Sequence, residues 1–94
     1  MSEGEARVPA AHVTWVTGGH AEVKSLVGDA IVLCSTAPAP PGARLEAHLT
    51  SDPAKLVKVK SHGTHREADG TFTLKGRLID ATRELRASLA ALTT

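Results

Sequence analysis

Apolar and polar residues alternate with period two over most of the chain, the signature of half-buried strands. His12–Thr17 sets Val13 and Trp15 on one face, and Gly18-Gly19 follows as a turn. Glu22–Val27 sets Val23, Ser25 and Val27 against Glu22 and Lys24. Ala30–Cys34 is apolar on both faces and reads as a central strand with a buried thiol. Gly28-Asp29 joins these two arms and suits a type II′ turn, whose first position needs positive φ. Ser25 and Gly28 are thereby expected at the rim of a sheet. The proline-rich stretch 36–42 reads as an extended connection. Arg44–Leu49 then alternates, with Leu45, Ala47 and Leu49 inward and Arg44, Glu46 and His48 outward.

Leu56–Glu67 and Thr71–Leu78 read as a long hairpin closed at Asp69-Gly70. Val57 and Val59 oppose Lys58 and Lys60, and Gly63 and Gly76 mark bulges or bends. The last element is a helix over about 80–93, capped by Asp80 or Thr82. Leu85, Leu89 and Leu92 form its apolar stripe, while Arg83, Glu84 and Arg86 face water. Short strands at even spacing followed by one helix predict a mainly β fold, a small antiparallel six-stranded barrel with a C-terminal α-helix.

Composition narrows this picture. Ninety-four residues make one small domain. We divide it into a polar N-terminal segment, 1–10, expected to be flexible or ordered by a ligand, and a barrel domain, 11–94. With only Trp15 and Phe72 as aromatics, the core must be built from Val, Leu, Ile and Ala. The net charge is +1 with both signs interspersed, which does not indicate a dedicated nucleic-acid binder. One cysteine excludes an internal disulfide and points to a reducing compartment. There is no apolar leader and no run long enough to span a membrane, so a complete cytoplasmic protein is expected.

The search for chemistry is short. Cys34 lies in an apolar strand, Asp29 and Asp80 suit a turn and a cap, and no carboxylate pair or phosphate loop is present. No enzyme is expected. His62 and His65 fall on opposite faces of a strand unless Gly63 resets the phase, so no metal site is expected either. Lys55, Lys58, Lys60, Lys75 and Arg77 could share the outer face of the long hairpin. A barrel with such a face could bind RNA or DNA. It lacks aromatic residues for base stacking, so a solvated face is the simpler reading.

PPGARLEAHL and the stretch from Val57 through the leucine helix resemble the PilZ domain of bacterial signalling proteins. The resemblance implies a β-barrel with a C-terminal helix and, in many members, a receptor for cyclic di-GMP. Members that bind carry Arg-x-x-x-Arg near the N-terminus and Asp/Asn-x-Ser-x-x-Gly on the hairpin that follows. The second motif falls on Val23-Lys24-Ser25-Leu26-Val27-Gly28: Ser25 and Gly28 match, and Val23 replaces the acid or amide. The first falls on Glu3–Arg7, where Arg7 matches and Glu3 replaces an arginine. The resemblance thus implies a degenerate member, an adaptor acting through protein partners as a monomer or homodimer, with nucleotide binding weakened or lost. Its alternatives are a working receptor that uses Arg7, Ser25 and Gly28, and a basic-faced barrel for RNA or DNA.

Overall fold

The computed structural model describes residues 10–93. Six strands close into a barrel: β1 (Val13–Trp15), β2 (His20–Val27), β3 (Ala30–Ser35), β4 (Arg44–Leu49), β5 (Asp52–Arg66) and β6 (Phe72–Leu78). One helix follows, α1 (Arg83–Ala91). The order around the barrel is β1-β2-β3-β6-β5-β4, every pair is antiparallel, and β4 returns to β1. The mainly β barrel with one C-terminal helix is therefore the fold. Arg7 lies outside the described residues.

The alternation fills the barrel much as the sequence predicts. Val13, Trp15, Val23, Ile31, Leu33, Ala47, Leu49, Val57, Val59, Leu74 and Leu78 point inward and are buried. Gly76 is also inward. A Cβ there would lie 2.7 Å from the Lys60 carbonyl oxygen and 2.8 Å from Val59 Cγ1, so glycine is required by close approach.

Two departures have clear causes. The β2–β3 ladder shifts between Val23 and Ser25, which inverts the phase of the rest of β2. Ser25 and Val27, expected inward with Val23, are exposed, and Leu26 packs against the core instead. In β3 the inward positions are Ile31, Leu33 and Ser35, so Cys34, expected to be buried, lies half-exposed on the outer face. Ser35 holds its core position because Trp15 Nε1 donates to its hydroxyl at 2.9 Å. That hydroxyl in turn donates to Ala37 O at 2.7 Å.

The two ends of the barrel are closed differently. The proline-rich connection crosses one mouth, with Ala39 fully tucked in. The Ala39 carbonyl accepts from Ser61 Oγ at 3.2 Å and Thr64 Oγ1 at 3.4 Å. The stretch expected to be a plain connection is a pinned plug. Helix α1 covers the other end. Thr82, not Asp80, caps it by accepting from Leu85 N–H at 3.0 Å, while Asp80 takes a left-handed bend at φ 54°. Leu85 and Leu89 are buried against the barrel, each worth about 1.5–3 kcal/mol of apolar burial.

Candidate functional site

The β2–β3 turn fixes the rim. Gly28 has φ 61° and Asp29 has no positive φ, with Val27 and Ala30 paired on either side. This is the backbone pattern the type II′ reading requires. Gly28 carries no Cβ and is exposed, as is Ser25 on the outer side of β2. Both therefore sit on the accessible rim. Val23 does not: its side chain is 2% exposed and belongs to the core.

Helix α1 brings partners to this rim that the sequence did not associate with it. Leu26, Gly28, Arg83, Arg86, Ala87 and Ala90 line a shallow depression of about 350 Å³. Arg86 was expected to face water. It turns instead toward the turn, where it pairs with Asp29 Oδ1 at 3.2 Å and donates to Ala81 O at 2.9 Å. Arg83 has no side-chain partner among the described residues. The depression gathers Gly28 with two guanidinium groups, one already neutralised. Ser25 is not among its lining residues. Two arginines at i, i+3 were legible as one helix face, but which face docks at the rim is a long-range fact.

The chain enters beside the same strand. Ala10 N–H donates to Glu22 Oε1 at 3.3 Å, and Glu22 also pairs with Lys24 at 3.7 Å. The outer surface of β2 before Ser25 is therefore occupied by a charge pair.

The histidines have structural tasks. His12 Nδ1 accepts from Val23 N–H at 3.0 Å, supplying an acceptor where β1 has not yet begun. His48 Nδ1 lies 3.0 Å from Pro53 O, to which it donates. The β5–β6 ladder shifts between Ser61 and Gly63, so the phase is reset as the glycine allowed, and His62 and His65 are both exposed. Among the described residues no group of three His, Cys, Asp or Glu side chains could hold a metal ion. Among them too, no helix is long and apolar enough to cross a membrane.

The basic face of the long hairpin is rearranged. Lys55 leaves it, because its ammonium donates to Ser88 Oγ at 3.2 Å and lies 3.8 Å from Glu84 Oε1 on the helix. Lys58, Lys60, Lys75 and Arg77 remain on the outside, and Arg44 of β4 joins them.

Searches against family models, curated proteins and solved structures each found no match for this chain.

Proposed function

We propose that the protein is a PilZ-like signalling adaptor whose rim has weak or no affinity for cyclic di-GMP, and which acts through contacts with other proteins. The observation that carries this reading is the place of Val23. In the motif it resembles, that position offers a carboxylate or amide to the nucleotide. Here it is a buried valine, so the rim has no such group at that position. The charge that the helix supplies is partly spent as well, because Arg86 already pairs with Asp29.

A charge-assisted hydrogen bond contributes about 1.5–3 kcal/mol. With Val23 and Glu3 both in place of polar ligands, roughly two to four decades of affinity are lost. What remains of the motif is Arg7, Ser25 and Gly28. The second reading is a receptor in which Arg7 joins Ser25 and Gly28 at the ligand. Calorimetric titration with cyclic di-GMP at low salt, with Arg7→Ala alongside, separates the two. The adaptor reading expects no measurable heat short of millimolar ligand. Micromolar binding that disappears in Arg7→Ala would establish the receptor.

The adaptor reading also expects no catalysis. A cytoplasmic location belongs to the same proposal, from the single cysteine and the signalling role.

A further inference from the structure

The strand register places three cations in one row on the outside of the barrel. Arg44 on β4 lies directly opposite Lys60 on β5, and Lys60 lies directly opposite Arg77 on β6. All three side chains are exposed. None has a carboxylate within ion-pair distance among the described residues. Like charges directly opposite across a ladder weaken a sheet. The row therefore costs the fold stability, and no carboxylate of the described residues offsets it.

Its surroundings reinforce the sign. Lys58 and Lys75 lie on the same outer surface, and the exposed acids of these strands are Glu46, directly opposite Lys58, and Asp52 at the start of β5. The whole chain has eleven Lys and Arg against ten Asp and Glu. This face takes five of the former and two of the latter, which leaves six against eight elsewhere. The near-neutral total hides a basic face on an otherwise acidic protein.

We propose that this row is a docking site for the phosphodiester backbone of a single-stranded nucleic acid, separate from the Gly28 rim. Three features favour that occupant. First, a protein interface needs an apolar centre depleted of charge, whereas interfaces with nucleic acid are polar and strongly positive. The row itself has no apolar side chain. Second, neighbouring strands are about 4.8 Å apart, so the three cations cover about 10 Å across the sheet and can meet two or three successive phosphates. Third, the row runs between two shallow depressions of about 340 and 520 Å³. Leu45 and Ile79 contribute to the first, beside Arg44 and Lys58 and with the carboxylates of Glu46 and Asp80 at its wall. Val32 and Gly76 contribute to the second, beside Lys75, Arg77 and the carboxylate of Asp29. Unpaired bases can enter such hollows and paired ones cannot. No aromatic side chain reads the bases, so binding is indifferent to sequence.

The test is fluorescence anisotropy of labelled oligothymidylate with the full chain, from about 20 to about 200 mM salt. Three phosphate contacts predict a slope of log K against log salt of about −2, since each contributes about 0.7 on a single strand. Arg44→Gln, Lys60→Gln and Arg77→Gln should each reduce the slope by about 0.7, and the triple variant should lose at least about tenfold in affinity. Arg66→Gln, at the far end of β5, should bind as the parent does. The triple variant should melt at the same temperature or higher, because repulsion is relieved, so its lost binding is not unfolding. Absence of binding at the lowest salt would overturn the proposal, as would a salt slope unchanged in the triple variant. A duplex that binds more tightly than the single strand would also overturn it, and so would poly-glutamate competing as well as the oligonucleotide. None of these outcomes bears on the rim, which the cyclic di-GMP titration tests by itself.

Discussion

Ser35 occupies a position where the alternation of β3 asks for an apolar side chain. Its hydroxyl is completely buried, accepts from the Trp15 indole and donates to Ala37 O. One small polar residue thus satisfies the polar handle of the largest core side chain and starts the plug at the same end of the barrel. Ser35→Ala should cost about 1–3 kcal/mol in urea unfolding, because it leaves the Trp15 N–H buried without an acceptor. A change within a few tenths of a kcal/mol would mean that another group takes over. Gly76 makes the opposite demand, for no side chain at all. Gly76→Ala should cost about 1–3 kcal/mol by overpacking against Val59 and the Lys60 carbonyl. A neutral result would show that β5 and β6 can separate at no cost. Neither requirement is visible in a strand pattern. A serine among apolar residues and a glycine in a strand read as exceptions until the partners across the barrel are known.

At the scale of elements, most of the architecture was legible. Period-two alternation located five of the strands and a continuous apolar run the sixth, β3; Gly28-Asp29 marked its turn, and the leucine spacing marked the docking face of α1. What was not legible was phase. A bulge adds one residue to one strand, and every side chain beyond it changes face. In β2 this sends Ser25 and Val27 outward; in β5 it lets both His62 and His65 face water. The same blindness covers the site: Arg83 and Arg86 meet Gly28 only because the helix folds back over the β2–β3 turn. The bulge makes a direct prediction. Val23→Ala should cost on the order of 2 kcal/mol, since it removes part of a buried valine. Val27→Ala, at a side chain 78% exposed, should stay within about 0.5 kcal/mol. Equal losses at both positions would mean that the two valines share a face and that the ladder shift is absent.

For the molecule as a whole, closure decides how it can meet partners. Every strand has a neighbour on both sides, but the β1–β2 ladder covers only Val13–Ala21 and Thr14–His20, so closure is thinnest beside the later part of β2. The two places argued for partners are side-chain surfaces, the rim beside α1 and the row Arg44–Lys60–Arg77. The central claim concerns the rim: Val23 is a core residue, and the nucleotide site is correspondingly incomplete. Amide NMR during a cyclic di-GMP titration tests it most directly, because it reads Ser25, Gly28 and the residues before Ala10 at once. The account predicts small shifts at the rim that grow in proportion to ligand and do not saturate below millimolar concentration. Large shifts at Ser25 and Gly28 that saturate at micromolar ligand would contradict it, and would make the protein a nucleotide receptor despite the buried valine.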